Sequence, residues 1–229
     1  NWQVECDFSM TPDNLKKELS DCPEKTGSIY YAYPQPTEED FLVSSGLTPF
    51  YIAHYGRHGS RWITDDYRYT KVLDVFKKHE LTPLGKEVKD RLDIVWNDAK
   101  GNGGKLTPKG SRQQAGIAER MYRQYIDIFK EDASIQAWSS TSDRAIKSME
   151  SFTGRIKELN PSLKIHQSSD VEHMYFMHQT SPELQTFSAK DAPWRKEYLA
   201  FAEKRVQPKR LLSKLFVYPE KIEKPHELM

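Results

Sequence analysis

Between Pro49 and Arg61 the chain reads PFYIAHYGRHGSR, the stretch that most restricts what it can fold into. Phe50, Tyr51, Ile52 and Ala53 form an apolar, aromatic run of the kind a buried strand uses, so a core strand is expected near residues 50–55. The run breaks into Gly56-Arg57-His58-Gly59-Ser60-Arg61, where two glycines let the backbone turn sharply and come close to a ligand. Arg57 and Arg61 supply planar forks of donors that match phosphate oxygens and stay charged at any working pH. Positive charge on both sides disfavours the imidazolium, which leaves His58 a neutral nucleophile at mildly acidic pH. A strand running into such a loop reads as a phosphoryl-transfer site. The competing reading of a lone Arg-His pair is a solvated surface.

Composition narrows the partners. The 229 residues are enough to bury a core as one large domain or two small ones. With 34 basic against 33 acidic residues the net charge is +1, so no nucleic-acid partner is expected. No run of apolar residues is long enough for a membrane span. The first residues, Asn1-Trp2-Gln3, carry no leader pattern, as in a processed or trimmed chain. A bridge between the two cysteines, Cys6 and Cys22, would close a loop of about 15 residues and stabilise the fold by about 3 kcal/mol. Two free thiols are the open alternative.

Residues 1–46 read as an N-terminal arm. Thr11-Pro12-Asp13 caps a short helix through Lys16 to Leu19. Tyr30, Tyr31 and Tyr33, followed by Pro34 and Pro36, suggest an extended segment laid across a core. After the arginine loop, residues 65–78 carry Tyr67, Val72, Val75 and Phe76 on one helical face.

An internal echo follows. Leu81-Thr82-Pro83-Leu84-Gly85 recurs as Leu106-Thr107-Pro108-Lys109-Gly110. In each copy threonine can cap while proline takes the first helical position. Amphipathic helices follow, bearing Val88, Leu92, Val95 and Trp96 in one and Ile117, Met121, Tyr122 and Tyr125 in the other. Gly101-Asn102-Gly103-Gly104 turns the chain between them. Two copies are similar helix starts, not a repeat architecture.

Residues 134–138 form a second strand candidate, leading through Ser139-Ser140-Thr141-Ser142-Asp143 to Arg144. Ile146, Met149, Phe152 and Ile156 then fall at helical spacing, which repeats the strand, loop and helix order of the first site. A third strand is expected at 163–166. His166, His173 and His178 lie seven and five residues apart, which fits no compact ligand motif, so no metal or other cofactor is expected.

Arg57-His58-Gly59-Ser60-Arg61-Trp62-Ile63-Thr64 resembles the RHGxRxPT signature of the histidine phosphatase superfamily, in its branch of histidine acid phosphatases, phytases and multiple inositol polyphosphate phosphatases. Ile63 stands where that signature has proline. The second threonine-proline start resembles the family's LTxxGxxQ helix, with Gln113 or Gln114 as its glutamine, and the serine-rich turn resembles the signature that delivers a third arginine. The resemblance covers about residues 47–165 well and 166–229 loosely.

The resemblance implies an α/β fold, a phosphoglycerate-mutase-like mixed sheet with helices on both faces, over residues 47–165. Residues 166–229 would begin a mostly helical cap. It implies His58 as nucleophile, Arg57, Arg61 and Arg144 as catalytic phosphate ligands, and Ser60 and Thr64 as further substrate contacts. The activity implied is phosphomonoester hydrolysis through a phosphohistidine, on inositol polyphosphates or other phosphorylated small molecules, in a periplasmic or secreted setting. The branch's proton donor lies in a His-Asp or His-Ala-Glu string, and this sequence contains neither. The acid is therefore expected from outside the chain, as from a second polypeptide supplying a C-terminal half, or from a carboxylate that no motif marks. Two further readings stay open: a mutase-like phosphohistidine enzyme, and a non-catalytic fragment that binds phospholigands.

Overall fold

Three threonine-proline steps start helices in this protein, and each does so through the same local chemistry. In the computed structural model, Thr11, Thr82 and Thr107 have extended backbones, and their hydroxyls accept from the N–H of Asn14, Gly85 and Gly110 respectively. Each satisfies an N–H that the helix itself leaves without a partner, and the following proline loses nothing at the first helical position. The structure describes residues 11–31, 48–130, 133–177, 182–223 and 225. These fall into two units divided between Leu47 and Thr48.

The first unit holds α1 (Pro12–Asp21) and a 3-10 helix over Pro23–Tyr30. Tyr30 thus closes a tight helix, where an extended segment was expected; Tyr33, Pro34 and Pro36 lie outside the described residues. Among the described residues Cys22 has no disulfide partner, and its Sγ lies 3.4 Å from Glu24 Oε2; Cys6 lies outside the described residues.

In the second unit, α2 (Tyr67–Lys78) and α3 (Pro83–Ala99) lead to α4 (Pro108–Gln124), β1 (Ser134–Trp138), α5 (Asp143–Leu159) and β2 (Lys164–Ser168). Short α6 (Met174–Met177) and α7 (Pro182–Ser188) precede α8 (Trp194–Arg205) and α9 (Pro208–Leu215). β1 and β2 pair in parallel with Ser134 opposite Lys164 and Trp138 opposite Ser168. The 17-residue α5 makes the crossover that parallel strands require.

Two apolar clusters hold this unit. Ala118 of α4, Phe129, Ile156 of α5 and Leu163 form one, with Met121, Tyr122, Phe152, Ile135 and Ile165 packed around them. Phe76, Leu212, Leu215, Phe216 and Ile222 form the other, with Val72, Val75, Leu81, Val88 and Leu92 against it. Val95 and Tyr67, expected on buried faces, are exposed.

The expected strand at 50–55 is corrected. Residues 48–60 have no strand pairing among the described residues, and Phe50, Tyr51 and Tyr55 are 92%, 74% and 74% exposed. Ile52 packs into the α4–α5 cluster, and His54 stacks on Phe152 with ring centroids 5.1 Å apart. Alternate residues thus turn toward α5, but an apolar run becomes a strand only where a neighbour offers backbone partners. The described sheet has two parallel strands, so the broader mixed sheet is not seen among the described residues.

Candidate functional site

The LTPxG echo is one docking device used twice. Thr107 N–H and hydroxyl both donate to Ser60 O, at 2.8 and 2.9 Å, and Leu106 forms an antiparallel bridge with Arg61. Thr82 N–H donates to Leu215 O at 3.0 Å, its hydroxyl to Lys214 O at 2.6 Å, and Leu81 bridges Phe216. The glycine of each copy is where the incoming backbone passes. A Cβ at Gly110 would lie 2.2 Å from Ser60 O, and one at Gly85 would lie 1.9 Å from Leu215 O. The first copy therefore anchors the end of α9 on α3, and the second anchors the arginine loop on α4.

Side chains from α4 and α5 hold the rest of that loop. Gln114, buried at the centre of α4, donates from Nε2 to Arg57 O at 3.0 Å. Its neighbour Gln113 accepts from Ser60 N–H at 2.9 Å. Ser148 of α5, also buried, accepts from Gly59 N–H at 3.1 Å and donates to Arg144 O at 2.6 Å. The family-like glutamine thus proves to be two glutamines with different tasks. Ser148 escaped sequence reading, because a serine inside a helix carries no signal of a partner 89 positions away.

The loop's geometry settles the imidazole. His58 Nδ1 lies 2.8 Å from Gly59 O, and a carbonyl can only accept, so Nδ1 carries the proton. Nε2 is left with its lone pair. Burial lowers the pKa of His58 below the ordinary value, the Gly59 carbonyl raises it in part, and the charges of Arg144, Arg57 and Arg61 lower it again. Burial outranks the arginine charges as the cause, the reverse of the weighting the sequence suggests.

The charges of all three arginines predicted to surround His58 thus act on its imidazole. Arg61 Nη1 donates to Trp62 O at 2.9 Å, while Arg61 Nε and Arg144 Nε are buried with no hydrogen-bond partner among the described residues. Buried guanidinium nitrogens left unpaired are costly and call for a ligand, water or ion. Arg57 is more exposed, its carbonyl fixed by Gln114. Ser60 takes part through its backbone, whose N–H and carbonyl are both used by α4. Thr64 sits on an exposed turn with its hydroxyl 3.4 Å from Asp65 and its carbonyl beside Gly103, contacts that tie it to the neighbouring turn instead of the arginine cluster. Of the three histidines weighed as metal ligands, His166 lies on β2 and His178 lies outside the described residues.

The described residues thus form an arginine-bearing loop docked on two helices, with a parallel strand pair joined through the second of them. The structure resembles that of Bifidobacterium longum multiple inositol polyphosphate phosphatase, solved in complex with inositol hexasulfate, with a TM-score of 0.54 and 22% sequence identity. The match covers 80% of this chain and 46% of that one, so the chain spans about half the length of the solved protein. That likeness establishes the fold. Neither the family models nor the curated proteins compared with the sequence give a match.

Proposed function

We propose that this chain carries the nucleophile and phosphate-binding half of a phosphomonoesterase that works through a phosphohistidine. The observation that carries the reading is the Nδ1–H to Gly59 O bond, which leaves the lone pair on His58 Nε2 of a ring on which the charges of Arg144, Arg57 and Arg61 all act. In the proposed reaction Nε2 attacks phosphorus in line, an N–P bond forms, and the P–O bond to the leaving group breaks. Arg57, Arg61 and Arg144 take up the charge on the equatorial oxygens. The leaving alkoxide takes a proton from a general acid, and water then cleaves the N–P bond to release phosphate and the free imidazole. Ser60, whose backbone is held by α4, adds a substrate contact through its hydroxyl in this reading, whereas Thr64, tied to the neighbouring turn, is left out of it. Metal is not needed to balance charge where three guanidiniums do so.

The proposed substrate class is phosphorylated small molecules, with inositol polyphosphates first because the fold matches a protein that acts on them. No residue matches the donor string of the resembling branch, so the acid in this reading comes from outside the residues given, as from a second polypeptide, or from a carboxylate of this chain that no motif marks. A periplasmic or secreted setting belongs to the same proposal. Two rivals are separable: a mutase-like enzyme passes the phosphoryl group to a sugar phosphate instead of water, and a binding-only fragment never forms N–P.

The test uses p-nitrophenyl phosphate, whose phenolate leaves without much help from an acid. The wild-type chain should yield an acid-labile phosphoenzyme, and His58→Ala should yield none. A His58→Ala protein that still carries the label, or that keeps a tenth of wild-type turnover, would show that the covalent reading is wrong.

A further inference from the structure

We infer that Ser148 is a positioning residue that sets the distance between the His58 loop and Arg144, an inference that rests on the proposed phosphoryl-transfer reading. Arg144, Ser148, Phe152 and Ile156 are spaced four apart and so form one stripe along α5. Each member meets something different. Arg144 presents a buried, unpaired Nε, Ser148 meets Gly59, Phe152 stacks flat on His54 with an interplanar angle of 11°, and Ile156 is in the core. Both signature segments are thereby registered against one rigid element.

The polarity of the serine is fixed by its partners. Its proton goes to Arg144 O at 2.6 Å, the common back-bond of a helical serine to the carbonyl four residues earlier. That leaves its lone pairs to accept from Gly59 N–H at 3.1 Å, next to the nucleophile. Gly59 cannot shift to another partner on its other side, because its backbone already lies against Gly110. One hydroxyl thus joins the residue after the nucleophile to the carbonyl of the third arginine. Removing it frees Gly59 N–H in a buried place and lets the loop and α5 drift independently. A displacement of about 1 Å is enough to cost a factor on the order of 100 in a reaction that depends on in-line geometry.

The experiment compares two anions on the wild-type chain, Ser148→Ala and Ser148→Thr by calorimetric titration. Inorganic phosphate needs only the arginines. Orthovanadate becomes five-coordinate when an imidazole nitrogen adds to it, so its binding needs His58 Nε2 and the arginines in register. Ser148→Ala should weaken vanadate about thirtyfold and phosphate only about threefold, while Ser148→Thr, which keeps the hydroxyl, should recover vanadate to within about threefold of wild type. Thermal melts identify folded variants; if Ser148→Ala does not fold, Ser148→Cys takes its place with the same expected split. Equal weakening of both anions, no weakening, or a folded threonine variant as poor as alanine would each overturn the positioning role. So would the loss of folding in both the alanine and cysteine variants, which would make Ser148 purely structural. A wild-type chain that binds neither anion would instead sink the phosphoryl-transfer reading, and this inference with it.

Discussion

Gly59 and Gly110 touch backbone to backbone: a Cβ added to Gly59 would lie 2.3 Å from Gly110 O, and one added to Gly110 would lie 2.8 Å from Ser60 N. The loop that carries the nucleophile is therefore pressed into the first turn of α4 at a place where no side chain fits. Gly110→Ala should cost about 1–3 kcal/mol of stability through overpacking and should weaken phosphate binding by more than tenfold, roughly the effect of 1.4 kcal/mol on a binding constant. Gly154, exposed in α5 with nothing within 4 Å of where a Cβ would stand, is the control. Gly154→Ala should stabilise by about 0.5–1 kcal/mol and leave phosphate binding unchanged. Denaturant melts and phosphate titration of both variants check this; equal behaviour would mean that the close approach at Gly110 is not needed.

The two LTPxG copies should separate stability from binding. Thr82→Val and Thr107→Val each remove a helix cap worth about 1 kcal/mol and a hydroxyl donated to a carbonyl. Both variants should melt earlier. Only Thr107→Val should also weaken phosphate, because its lost partner is Ser60 O in the arginine loop. A Thr82→Val protein with impaired phosphate binding would contradict the assignment of that copy to the end of α9.

The imidazoles give a pH signature. Burial lowers His54 as well as His58, so both should titrate below 6.5 in the anion-free protein. As pH falls, the unfolded chain takes up these protons before the folded one does. The stability contributed by the neutral rings is thus complete above about 6.5 and is lost as pH falls through the interval between the unfolded and folded values. Bound phosphate adds negative charge beside His58 and should move its midpoint upward. Nitrogen-resolved NMR titration measures this directly. A free-protein midpoint for His58 at or above 6.5 would contradict the burial argument.

Arg144 should prove irreplaceable in shape as well as in charge. Arg144→Ala removes charge-assisted hydrogen bonds of about 1.5–3 kcal/mol each, and phosphate affinity should fall by a factor of about 10–150. Arg144→Lys should recover little, since a point charge on a flexible stem does not reproduce a planar fork. Calorimetric titration at fixed salt distinguishes the two. Full recovery by lysine would mean that charge alone matters at this position.

Much of the site was legible in the order of residues. The arginines at 57, 61 and 144 and the histidine between the first two stand at loops and a helix start, and the glutamine pair at 113–114 follows in the helix that the Thr107 cap opens. Those features depend on contacts within a few residues, and threonine, proline and glycine announce them directly. Strand pairing was less legible. Phe50, Tyr51 and Tyr55 have the composition of a buried strand and yet stand exposed, because composition describes a preference and pairing requires a partner segment.

What the sequence determined by itself is local: the caps at Thr11, Thr82 and Thr107, the helices they open, and the charge gathered around His58. What only the tertiary structure decided is which of these meet. That Gly59 rests on Gly110, that Gln113 and Gln114 divide the loop between them, and that Ser148 joins the two arginine-bearing segments all depend on α4 and α5 packing side by side. That packing is set by Ala118, Phe129, Ile156 and Leu163, which lie far apart in the chain. Burial of apolar surface is non-directional, so it draws such residues together without marking in the sequence which polar groups will find themselves opposed.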